Sequence, residues 1–116
     1  MMKTILIRTD HTISIEEVAD FEALRYRLGG YVEIVITPKL PKPFCLAVDE
    51  EGKLKELPQN LFGSWLYCTD EHGDYIVGDV FILKIEKGPD GDDLVGLHEW
   101  DIRRIMEHLG LDVKSG

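Results

Sequence analysis

Apolar residues change their spacing several times along this chain, and each change predicts an element. In KTILIRT (3 to 9) they are β-branched and contiguous, which predicts a strand closed by the turn-like Asp10, His11 and Thr12. From Ser14 the spacing turns helical. Ile15, Val18, Phe21, Leu24 and Leu28 recur every three or four residues, Ser14 and Glu17 fit a capping box, and Gly29 and Gly30 supply a stop. The expectation is one helix from Ser14 to Leu28.

YVEIVIT (31 to 37) predicts a second strand, ended by PKLPKP, whose prolines lack donors and do not fit a sheet interior. FCLAVDE (44 to 50) predicts a third. The EEGK turn then leads into KLKEL as a hairpin, with Gly52 expected at positive φ. After Pro58, the spacing of Leu61, Phe62, Trp65 and Leu66 suggests a short helical turn that Gly63 weakens. TDEHGD (69 to 74) reads as an acidic turn, and YIVGDVFILKI (75 to 85) as the clearest strand. EKGPDGDD (86 to 93) reads as a loop. Ile102, Ile105, Met106 and Leu109 share one face of a last helix stopped by Gly110, after which DVKSG frays.

That order predicts an α+β fold: a mostly antiparallel sheet of about four to five strands with two main helices packed on one face. A crossover through the first helix leaves parallel pairing of its flanking strands open. Residues 1 to 113 are expected to form a single domain, with 114 to 116 as a frayed tail, since 116 residues suit one core.

Charge narrows the partners. Lys and Arg number 13 against 22 acids, a net charge of −9 and a pI near 4.8, so neither nucleic acid nor an anionic membrane is expected as a partner. A basic protein surface fits better. No stretch approaches the roughly 20 apolar residues of a membrane span, and Cys45 and Cys68 form no Cys-x-x-Cys pair, which together predict a cytoplasmic protein with buried thiols.

Five polar positions are candidates for binding. Glu33 lies within an apolar strand, where it shares a face with Tyr31 and Val35 and is expected to face water with them. Asp79 stands among apolar neighbours, and Gly78 before it suggests a bulge that re-aims the carboxylate. Asp49 and Glu50 belong to a polar turn. Asn60 is placed to cap the helical turn after it, a role that aspartate would also fill. Glu33 and Asp79 together would suit acid-base or metal-assisted chemistry if they met. Against catalysis, the sequence has no Walker loop, no G-x-G-x-x-G, no G-x-S-x-G and no zinc-type cluster of its four histidines, and it implies no cofactor. The acids of 49 to 51, 70 to 74 and 90 to 93, with Glu16, Glu17, Asp20 and Glu22 along the first helix, admit a further reading as a DNA-mimic inhibitor.

Taken together, MKTILIR, LGGYVEIV, DEEGKLKELPQN and YIVGDVFIL resemble an uncharacterised family of short proteins of bacteria, phages and other mobile elements, described only as a domain of unknown function. The resemblance spans roughly residues 2 to 85, and its specific part is the middle block. Here Asp49 stands where asparagine is usual, Glu56 replaces a glycine, and Leu61 follows Asn60 where arginine is common. The resemblance implies no activity or cofactor. It implies that Gly30, Glu33, Glu50, Gly52, Leu57, Pro58 and Asn60 belong to one shared structural feature, and the stretch from 48 to 60 is itself expected to be a hairpin plus cap that organises the fold and incidentally rims a pocket. The function expected is that of a small accessory or binding protein of a phage or mobile element, acting through protein contacts.

Overall fold

The computed structural model describes residues 1–68 and 75–111. The acidic turn expected at 69 to 74 and the frayed tail lie outside the described residues. The elements run β1 (Met2–Ile7), β2 (Ile13–Val18), α1 (Phe21–Arg27), β3 (Val32–Val35), β4 (Phe44–Asp49), α2 (Leu61–Leu66), β5 (Val80–Gly88), β6 (Gly91–Val95) and α3 (Glu99–Leu109). The sheet order is β2-β1-β5-β4-β3, with β6 continuing beside β5, and every pairing is antiparallel. The fold is α+β, with six strands and two main helices, α1 and α3.

The first expected helix is the largest correction. Residues 13–18 form β2, which folds back on β1 with Ile5 opposite Ile15 and Ile7 opposite Ile13. Ile13 and Ile15 thereby pack on the core, something a lone helix could not offer them. The cap is Asp20, whose carboxylate accepts from the Ala23 N–H at 2.9 Å, so α1 is only seven residues long. Glu16 and Glu17 therefore lie on a strand, and the expected line of helical acids is broken. The crossover is not parallel either.

Alternation along the strands builds two cores. Ile5, Ile7, Phe44, Leu46, Val48, Val80 and Ile82 face α2 and α3, while Leu6, Cys45, Ala47, Phe81 and Leu83 face α1. The helices thus cover opposite faces of the sheet, not one. At the α3 end, Lys84 of β5 reaches the buried Asp101 carboxylate at 2.9 Å, and that carboxylate also accepts from the His98 N–H at 2.9 Å. Gly110 closes α3 at φ 68°, as its sequence predicts.

Two further expectations change. KLKEL forms turns and no strand, and Gly52 is not at positive φ: Glu56 takes that conformation, at 56°. Gly52 is needed for close packing, since a Cβ there would stand 2.7 Å from Val77 Cγ2. The clearest expected strand starts five residues late, because residues 75–79 pair elsewhere and β5 runs on into the presumed loop to form a hairpin with β6. Gly91 turns that hairpin at φ 117°.

Candidate functional site

One buried amide organises the edge of the sheet where the candidates gather. Asn60 is 1% exposed. Its Oδ1 accepts from the Gly63 N–H at 2.8 Å, which caps α2. Its Nδ2 donates to the backbone oxygens of Ile7 and Gly78, each at 3.0 Å. The same residue's backbone N–H reaches Ile76 O at 2.9 Å, Gly78 N–H reaches Pro58 O at 2.8 Å, and Gln59 bridges Val77. Ser64 Oγ accepts from the Ile76 N–H at 3.0 Å. Asn60 is therefore more than a cap: it ties β1, α2 and the 75–78 segment together, and its donor is spent inside the fold.

The 75–77 segment so held forms one wall of a cavity of about 240 Å³. Opposite it lie Glu33 of the edge strand β3, Val48 and Asp49 of β4, and Glu50 and Lys53 of the following turn, with Tyr67 and Tyr75 as aromatic sides. Glu33 and Glu50 are both exposed. Their closeness follows from register, because Glu33 pairs with Val48 and the Glu50 N–H donates to Tyr31 O at 3.0 Å. The Lys53 ammonium stands 4.7 Å from the centre of the Tyr75 ring, so the aromatic wall already holds one cation.

Glu33 does not share a fully solvated face. Val35 beside it is buried, whereas Ile34 and Ile36 on the opposite face are exposed. The edge of the sheet reverses the simple alternation because the cluster around Leu24 and Leu28 reaches only the start of β3, at the partly buried Val32, and leaves Ile34 and Ile36 uncovered.

Asp49 borders the same cavity but turns its carboxylate, 6% exposed, to the other side of the sheet. There it accepts from the Glu51 N–H at 2.9 Å and pairs with Lys55 at 2.9 Å, while Lys55 also reaches Gly29 O at 3.3 Å. This clamp joins the 50–56 turn to the end of α1. Asp79 lines a second cavity with Thr9, Arg27, Leu57 and Lys55, and accepts from the Thr9 N–H at 3.2 Å. Gly78 before it adopts φ 75° and leaves Asp79 exposed ahead of β5. Glu33 and Asp79 thus border different cavities, and the carboxylate pair imagined for acid-base chemistry is not assembled.

Among the described residues, no group of three or more His, Cys, Asp or Glu side chains converges as metal ligands would. Burial pushes the Cys45 thiol up to about 12, far from a reactive thiolate. No described helix is long and apolar enough to cross a membrane. Lys53, Tyr67 and Tyr75 escaped the sequence reading because nothing local distinguishes them. Only their position flanking two acidic turns offered a signal.

Of the residues that the resemblance grouped, six gather around this segment and its cavity: Glu33 and Glu50 on the cavity, Gly52 under Val77, Leu57 against Gly78, and Pro58 and Asn60 bonded to the 76–78 segment; Gly30 does not, and lies beside Arg25 and Tyr26 at the end of α1. Searches among curated proteins and among solved structures return no match. A family model described as a domain of unknown function, DUF3846, matches residues 2–110, the terminal helix included, and the chain therefore belongs to the DUF3846 family.

Proposed function

We propose that this chain is a small binding protein that acts by contacting a basic surface of another protein at the Glu33–Glu50 cleft. The observation that carries the reading is the convergence of Glu33 and Glu50, from a strand and a turn, on one cavity walled by Tyr67 and Tyr75. A lysine or arginine side chain entering there would meet two carboxylates beside an aromatic wall whose Tyr75 ring it would share with Lys53, and the carboxylates attract cations by charge. Lys53 over Tyr75 illustrates the geometry from within the chain. The net charge of −9 would speed the approach of a basic partner.

The test is quantitative affinity capture from a lysate of the source cell with the parent and with a Glu33→Lys/Glu50→Lys double variant. Proteins held by the parent, released by salt and lost by the double variant support the reading. An identical set on both baits, or none on either, rejects it.

A further inference from the structure

The second cavity, on the α1 side of the sheet, is the feature that the Glu33–Glu50 cleft does not explain. It holds about 340 Å³, the size of a small-molecule site, and Arg27, Lys55 and Asp79 border it above the apolar Leu28, Leu57 and Pro58. Arg27 stands in the last turn of α1. Its guanidinium lies 5.3 Å from the centre of the Phe81 ring and 3.9 Å from Glu16, and it makes no hydrogen bond to any described residue. Glu16 is itself bonded to Arg8. Arg27 is thus held by packing on a ring while its fork of N–H donors stays unengaged, and a carboxylate is the group that such a fork matches two bonds at a time. Lys55 differs, because its ammonium is already bonded to Asp49 and to Gly29 O.

Asp79 brings the opposite charge to the same cavity. Its Oδ1 accepts from the Thr9 N–H at 3.2 Å, and no other bond to a described residue engages its carboxylate. The fold fixes it there: Gly78 turns the chain at φ 75°, and Asn60 Nδ2 holds Gly78 O at 3.0 Å. Among the described residues no ion pair joins Arg27 to Asp79. Two opposite charges therefore border one cavity with the space between them open.

The geometry points to a binding site for a free α-amino acid with an aliphatic side chain. Its carboxylate meets the Arg27 guanidinium, its ammonium meets Asp79 Oδ2, and its side chain lies on Leu28, Leu57 and Pro58. One small molecule bridges both charges only if it carries both, which sets aside simple carboxylates, phosphate and amines. A long peptide is set aside too, since its ammonium and carboxylate stand at opposite ends. Zero net charge also suits a chain at −9, which repels free anions. The inference does not rest on the cleft having a basic partner.

L-Leucine is the probe, with 4-methylpentanoate and 3-methylbutylamine as the analogues that lack its ammonium and its carboxylate, and glycine as the one without a side chain. Titrated into the labelled full chain, leucine should shift the amides of Thr9, Gly29 and Asp79 saturably, with a dissociation constant of about 1 mM or tighter. Each of the other three compounds should bind about tenfold more weakly or worse. Substitution then assigns the charges. In Arg27→Met, leucine should bind no better than 3-methylbutylamine, and in Asp79→Asn no better than 4-methylpentanoate, patterns that a general loss of fold does not produce. Glu33→Gln/Glu50→Gln should bind leucine as the parent does. No saturable shift from leucine at about 20 mM, far above the expected constant, would overturn the inference. So would any of the three compounds binding the parent as tightly as leucine, or an unchanged preference in either charge variant.

Discussion

The side-chain nitrogen of Asn60 lies 3.0 Å from the backbone oxygen of Ile7, across 53 residues of chain. A cap alone would need only the acceptor oxygen, so aspartate would replace asparagine at little cost. Here the donor also serves Gly78 O. Asn60→Ala should lose ~1 kcal/mol for the cap and a further ~1 kcal/mol for each lost bond to a backbone oxygen. Asn60→Asp should be comparably destabilised, since its carboxylate would face two backbone oxygens. Urea denaturation of both variants checks this, and an aspartate variant as stable as the parent would contradict it.

Gly29 separates a packing role from a backbone role. It sits at φ 89°, and a Cβ there would come within 2.3 Å of Lys55 Nζ and 3.0 Å of Asp49 Oδ2. Gly30, at φ 114°, has nothing within 4 Å of its Cβ position. Both alanine variants carry the strain of positive φ, about 1–2 kcal/mol. Only Gly29→Ala also displaces the Asp49–Lys55 clamp. Its melting temperature should fall further than that of Gly30→Ala, and equal losses would show that the clamp adds nothing.

Asp101 links stability to pH. Burial tends to raise its pKa, but hydrogen bonds from Lys84 and the His98 N–H, with the Lys84 charge, outweigh it and hold the carboxyl below its ordinary 3.8. A depressed folded value means that this contribution is fully present above the unfolded value and is lost as pH falls through the folded one. Denaturation midpoints at about pH 6 and about pH 3 should therefore differ less for Asp101→Asn than for the parent. Lys84→Met, which strands the buried carboxylate, should cost about 3 kcal/mol near neutrality, the lower end for a broken buried pair because His98 still donates.

The sheet class, the α3 face with its Gly110 stop, and the α2 cap at Asn60 were legible in the sequence because each rests on local signals. The Ser14–Leu28 reading failed where local and long-range signals conflict. Ile15 and Val18 fit a helix as well as a strand, and only the pairing of residues 13–18 with β1 decides between them. The β6 strand hid in a run of aspartates and glycine that reads as a loop until β5 supplies a partner. For the site, Glu33 and Glu50 were visible as polar interruptions, but the cleft depends on residues 75–77 leaving the sheet. That departure follows from the Asn60 bonds, which join parts of the chain no local window spans.

On the proposed function, Glu33 and Glu50 form a binding surface while Asn60 and Asp49 serve the fold. A short arginine- and lysine-rich peptide, titrated at low salt into the labelled protein and followed by amide shifts, tests it directly. Saturable shifts clustered at Glu33, Glu50, Lys53 and Tyr75, absent in Glu33→Gln/Glu50→Gln whose melting temperature matches the parent, are the predicted result. Shifts scattered over all acidic surfaces, or unchanged by the double substitution, would contradict it.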